Sequence, residues 1–222
     1  EVKSIEKLSS GSFRVQAASG DFEAQAVILA AGASFRMLGV PGERELTGKG
    51  VSYCATCDGA FFKGKNVIVV GGGDSALQEG LFLTRFATKV TVVHRRDKLR
   101  ASPILQQRAK EHPKMSFIWD TAVEKIEGQG KVQTVSLKNL KTNEVSSLAI
   151  DGVFIFVGHD PNTSFLKGFV EMDEKGYVKS DGSVKTSVAG VFAAGEIRAG
   201  ATKQLVAACG EGCEAALAAQ EH

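Results

Sequence analysis

The run Asn66-Val67-Ile68-Val69-Val70 passes directly into Gly71-Gly72-Gly73-Asp74-Ser75-Ala76 and then into a helix-forming stretch. No other segment limits the fold so strongly. Consecutive β-branched residues suit a strand covered on both faces, which places it in a parallel sheet with helices packed against it. Gly71-x-Gly73-x-x-Ala76 at the end of that strand has the spacing of a dinucleotide-binding turn. Gly71 permits the tight turn, Gly73 allows backbone to approach a pyrophosphate, and small Ala76 lets helix and strand pack closely. The helix N-terminus adds free N–H groups and partial positive charge. A glycine cluster alone is often only a loop; the strand before it and the helix after it carry the functional reading.

The elements that follow repeat the alternation. A strand at 66–70, a helix at 75–85, a strand at 89–93 and a helix at 103–110 predict an α/β fold with right-handed parallel crossovers. Strands at 116–119, 121–127, 132–140 and 144–149 read as an antiparallel edge, and the apolar run 151–157 as a buried strand returning to the sheet. Upstream, runs at 12–17 and 22–29 flank Ala18-Ser19-Gly20-Asp21 and predict a hairpin. Gly39-Val40-Pro41-Gly42-Glu43 and Gly158-His159-Asp160-Pro161-Asn162 are Pro/Gly connections of the kind found between domains. After the second come a strand at 191–193 and a small-residue helix at 202–219. One nucleotide-binding domain, 39–162, is thus expected between two pieces of another, 1–38 and 163–222.

Two constellations carry chemistry. After the second strand of the alternation, where an NAD site places a carboxylate for the ribose 2′-hydroxyl, stand His94-Arg95-Arg96 and then Arg100. Planar guanidinium groups pair bidentately with phosphate, so this turn favours the 2′-phosphate of NADP. The competing reading is a solvated basic turn. The second constellation is Cys54-Ala55-Thr56-Cys57-Asp58. If these residues open a helix, both sulfurs lie on one side, a disulfide forms and opens with little backbone movement, and helix N–H groups stabilise a thiolate. Asp58 beside the pair suits proton transfer to or from a leaving thiolate. Dithiol and nucleotide turn together point to reducing equivalents entering from a nicotinamide and leaving through sulfur. The alternative is a four-thiolate zinc site completed by Cys209 and Cys213; against it, those two fall in a small-residue helix, where cysteine commonly serves as apolar filler.

Bulk properties narrow the class further. The formal charge of +2 gives no basic excess for nucleic acid or a membrane surface, and no apolar stretch is long enough to span a bilayer. Four cysteines in 222 residues do not resemble a secreted disulfide framework, so a cytoplasmic protein with working thiols is expected.

With these residues in place, the chain resembles the low-molecular-weight, bacterial-type thioredoxin reductases of the pyridine nucleotide-disulfide oxidoreductases. The resemblance runs nearly end to end, through VSYCATCDGAFFKGKNVIVVGGGDSA, VTVVHRRDKLRAS, VFIFVGHDPNT, GVFAAGEI and KQLVAACGEG. It implies a Rossmann-like NADP domain inserted into an FAD domain, with electrons passing from NADPH through FAD and a dithiol to thioredoxin. By similarity, Cys54 attacks the thioredoxin disulfide, Cys57 exchanges electrons with flavin and Asp58 protonates the emerging thiolate. Gly195, Glu196 and Lys203-Gln204-Leu205 match the segment lining the flavin, although the family usually has Asp at 196 and Arg-Gln-Ala at 203–205. The family's N-terminal glycine fingerprint, which grips the FAD pyrophosphate, does not precede Glu1, so an N-terminally truncated, incomplete FAD domain is expected. The resemblance further implies a homodimer. Two other functions compete: the flavoprotein reductase of a peroxide-reducing system, and a flavin-free NADP-binding fragment with structural cysteines.

Overall fold

In the computed structural model, which describes all 222 residues, the chain divides into two units, Glu1–Ser34 with His159–His222 and Phe35–Gly158. The first opens with an antiparallel meander, β1 (Val2–Lys7), β2 (Phe13–Ala17) and β3 (Gly20–Ala24). β1 was not legible in the sequence because a register shift between Val2 and Ser4 spaces its inward residues, Val2 and Ile5, three apart rather than two. The stretch expected as one strand at 22–29 is two. β3 ends at Ala24, and β4 (Val27–Leu29) pairs in parallel with a strand from the far end of the chain. β5 (Ala33–Phe35) lies where the chain passes into the second unit.

That unit is built on a parallel sheet. Its elements are β6 (Val51–Ser52), the short helix α1 (Ala55–Asp58), β7 (Asn66–Val70), α2 (Asp74–Leu83), β8 (Lys89–Val93), α3 (Pro103–Glu111) and β9 (Met115–Ile118). They are followed by β10 (Thr121–Glu127), β11 (Thr134–Asn139), β12 (Val145–Ala149) and β13 (Gly152–Ile155). The sheet order is β6-β13-β7-β8-β9, every pair parallel. β9 was expected to be antiparallel; it is parallel because α3 carries the chain back across the sheet before it. β10, β11 and β12 make an antiparallel sheet of their own.

The β-branched run of β7 is explained by burial on both sides. Val67 and Val69 join Val90 and Val92 of β8 against Ala76, Leu77 and Leu83 of α2 and Ala109 of α3. Ile68, Val70 and Val93 pack on the other face against Val123, Ile126, Val135 and Leu137 of the antiparallel sheet. At roughly 1.5–3 kcal/mol per buried aliphatic side chain, these two faces dominate the unit's stability.

The chain returns to the first unit through β14 (His159–Pro161), β15 (Val191–Ala193), which pairs with β4, and the helix α4 (Leu205–Gln220). Ile5, Phe13, Leu29, Leu166, Val191 and Ile197 form its core. α4 buries Ala215 against Phe192 and Ala194 while Leu205 and Val206 remain 82% and 81% exposed. No helix is long and apolar enough to cross a membrane.

Candidate active site

Cys54 and Cys57 are joined as a disulfide. Cys54 caps α1, and its sulfur accepts the Cys57 N–H at 3.1 Å, a contact that favours negative charge on that sulfur once the bond opens. Cys57 is exposed and Cys54 half-buried. Ser52, absent from the sequence reading, organises the loop. Its hydroxyl accepts the Cys54 N–H at 3.1 Å and donates to the Asp58 carboxylate at 2.6 Å, so Asp58 is oriented from the strand that precedes the dithiol. Glu79 on α2 faces the N–H groups of Ala55 and Thr56; burial raises its pKa, and those two amides only partly oppose the rise.

A second support sits just upstream. Glu43 is fully buried, and its carboxylate accepts the Leu38 N–H at 2.9 Å, the Gly39 N–H at 2.8 Å and the Tyr53 hydroxyl at 2.8 Å. Tyr53, adjacent to Cys54, stacks on Phe35 with ring centroids 5.0 Å apart. Burial, followed by the Glu43 hydrogen bond, raises its phenol well above the ordinary tyrosine value.

The glycine turn behaves differently at each position. Gly71 has φ +150°, and a Cβ there would lie 2.5 Å from the Phe156 carbonyl oxygen and 2.9 Å from the Ala76 methyl. It therefore serves both the turn and the close packing with Ala76. A Cβ on buried Gly72 would overlap the His94 ring at 2.3 Å, whereas one on Gly73 would meet nothing within 4 Å. Gly73 is the N-cap of α2, so the open space lies where helix N–H groups emerge. Asp74 accepts the Ser102 N–H at 2.6 Å and ties α2 to α3; Ser75 is exposed and Ala76 buried.

A cavity of about 390 Å³ opens beside this turn, lined by Gly71, Gly72, His94, Arg95 and Arg100. Arg36, Met37 and Thr121 also line it and were missed; their segments carry no recognisable spacing, and only the fold brings them to the glycines. Arg96 is exposed on the same turn outside that lining. His94 is 5% exposed and its Nε2–H donates to the Lys98 carbonyl at 3.0 Å. Burial lowers its pKa, the Lys98 carbonyl opposes that, and the nearby positive charges of Arg100, Arg96 and Arg95 lower it further. It shapes the turn as a neutral ring.

The remaining sequence-derived residues lie in the first unit. Gly195, at φ +75°, donates its N–H to the Glu211 carboxylate at 2.7 Å, and Glu211 also meets Arg198 at 3.3 Å. Glu211 had no signal in the sequence. Glu196 is half-buried, Lys203 lies over the Tyr177 ring at 5.6 Å, and Gln204 and Leu205 begin α4. Burial lowers the Lys203 pKa, and Glu196 partly restores it, which places those two charges near each other. Cys209 and Cys213, expected to be filler, are exposed free thiols, because α4 packs through its Ala215 face and they lie on the other.

The family model for pyridine nucleotide-disulphide oxidoreductases matches residues 2–212. The chain is 51% identical over 209 residues to a thioredoxin reductase of Bacillus subtilis, covering 94% of this chain and 66% of that protein. It is 47% identical over 214 residues to one of Peptoclostridium litorale, covering 94% and 68%. The crystal structure of thioredoxin reductase from Streptococcus pyogenes superposes with a TM-score of 0.92 at 46% identity, over 100% of this chain and 71% of that one. The chain thus spans about two thirds of the length of these relatives. On matches of this extent, it belongs to the pyridine nucleotide-disulphide oxidoreductases and, among them, to the thioredoxin reductases.

Proposed function

We propose that the chain carries the nicotinamide and dithiol halves of an NADPH-dependent thioredoxin-disulfide reductase, with Phe35–Gly158 as the NADP unit and the remainder as part of an FAD unit. The observation that carries this reading is one unit holding both a closed Cys54–Cys57 disulfide and a cavity walled by Gly71, Gly72, Arg95 and Arg100. Gly73 and the N-terminus of α2 receive the pyrophosphate, and Arg95, Arg96 and Arg100 pair with the 2′-phosphate.

The first unit fits one side of a flavin. Leu205 and Val206 offer a bare apolar surface, Glu196 and Lys203 flank it with charge, and the Nε of Arg198 is buried without a partner. When bound, FAD supplies the two-electron carrier between nicotinamide and sulfur. Opening the disulfide takes two electrons and two protons, giving two thiols. Cys54, supported by the Cys57 N–H, then attacks a partner disulfide as thiolate, forming a mixed disulfide and releasing one partner thiolate. Cys57 attacks the Cys54 sulfur, restores the internal disulfide and releases the second. Asp58, held by Ser52, passes protons to and from the departing sulfurs. Thioredoxin is the partner, a homodimer the assembly, and the cytoplasm, where thiols stay reduced, the compartment.

Consumption of NADPH dependent on oxidised thioredoxin tests the reading. Cys57→Ser is expected to trap a stable mixed disulfide through Cys54. Trapping by Cys54→Ser instead reverses the two roles, and failure of both variants to capture thioredoxin overturns the assignment.

A further inference from the structure

The turn carrying Arg95 and Arg96 has no regular structure of its own, yet its backbone is tied down at two points. The His94 carbonyl accepts the Thr121 N–H at 3.0 Å, and the Arg96 carbonyl accepts the Asp120 N–H at 3.3 Å. Asp120 has φ +51°, in the left-handed region that few non-glycine residues occupy and that Asp and Asn tolerate best. That conformation is held from the turn joining β11 to β12. The Leu140 N–H donates to the Asp120 carbonyl at 2.6 Å, and the Lys141 ammonium meets the Asp120 carboxylate at 2.8 Å. Asp120 is the less accessible partner, its side chain 19% exposed against 62% for Lys141. Lys141 also stands 3.8 Å from the carboxylate of Asp97, the residue after Arg96. The hydrogen bond and charge of Asp120 keep the ammonium firmly protonated. One cation therefore straddles the arginine turn from outside the cavity, touching both acidic residues that border it.

We infer that Asp120 and Lys141 are positioning residues for recognition of a nucleotide 2′-phosphate: together they fix the main chain at Arg96, and Lys141 offsets one of the two negative charges that Asp97 and Asp120 place beside an incoming dianion. This rests on the NADP reading of the cavity. Without Lys141, two carboxylates face the phosphate at moderate range and Asp120 loses the anchor of its left-handed turn. Charge repulsion at the surface, together with a looser turn, weakens binding of a 2′-phosphate by about three- to tenfold. A nucleotide lacking that group has nothing to lose.

The test titrates the full 222-residue chain with adenosine 2′,5′-bisphosphate and with adenosine 5′-monophosphate, by calorimetry and by fluorescence of Trp119. That residue, the only tryptophan of the chain, stacks on Phe117 with centroids 5.1 Å apart and meets the His94 ring edge-on. Lys141→Ala is expected to lose the stated three- to tenfold toward the bisphosphate while its affinity for the monophosphate stays within about twofold. Lys141→Arg, which keeps the charge, is expected to restore the bisphosphate. Wild-type binding by Lys141→Ala, equal weakening toward both ligands, or no rescue by arginine overturns the inference. A wild-type protein that does not distinguish the two ligands overturns the NADP reading itself.

Discussion

Replacing Glu43 by glutamine tests how the dithiol segment is supported. The carboxylate is fully buried, accepts the Leu38 N–H and the Tyr53 hydroxyl on one oxygen, and accepts the Gly39 N–H on the other. Glutamine keeps the shape and one acceptor. In one amide orientation its NH₂ faces the Gly39 N–H; in the other it faces the Leu38 N–H, while the Tyr53 hydroxyl can turn to accept. Either way one buried backbone donor is left against another donor, at about 1–3 kcal/mol. The surviving bonds change from charge-assisted to neutral, which removes roughly another 1 kcal/mol. Removing a buried charge relieves desolvation, but the carboxylate already has three donors, so the relief offsets only part of the loss. The expected net destabilisation is about 2–3 kcal/mol, a large share of the roughly 5–15 kcal/mol typical of a domain. Urea unfolding followed by Trp119 fluorescence reads the same unit, and the midpoint is expected to fall by about 1–2 M with unchanged slope. A loss below about 0.5 kcal/mol, or a gain, refutes the argument that these bonds hold the segment.

Tyr53→Phe is expected to change the alkaline limb of stability. Because the folded phenol titrates above its ordinary value of 10.0, its stabilisation is present below pH 10 and is lost as pH rises and only the unfolded chain ionises; the phenylalanine variant lacks that loss, as thermal melts across alkaline pH will show. Gly72→Ala drives a methyl into the His94 ring and is expected to cost about 1–3 kcal/mol or more in chemical denaturation. Gly73→Ala meets no protein atom, so it is expected to unfold like wild type yet bind NADP, which carries the pyrophosphate, far more weakly; normal binding would show that the open space there is not the pyrophosphate site.

What the sequence revealed depended on how local each signal was. The strand, glycine turn and helix from Asn66 to Leu83 were legible because spacing, β-branching and small residues all act within about twenty positions. The cysteine pair was legible for the same reason. Ser52, Glu43 and Glu211 were not, since a serine or glutamate carries no pattern until folding brings it to Asp58, Tyr53 or Gly195. Strand direction in β9 was misread because alternation reports which faces are buried and is silent about which way a neighbour runs. The two strands within 22–29 were fused because the break at 25–26 has neither glycine nor proline to mark it.

The double-sided burial of β7 and β8 has a consequence for how such a protein changes over generations. Interior positions of those strands admit only apolar residues of similar volume, so variation is funnelled to the turn at 95–98, where side chains face open space. On the proposed reading, choice of redox currency is thereby uncoupled from the scaffold: exchanging the charges on that turn is expected to re-address the protein to another coenzyme without disturbing the layers beneath.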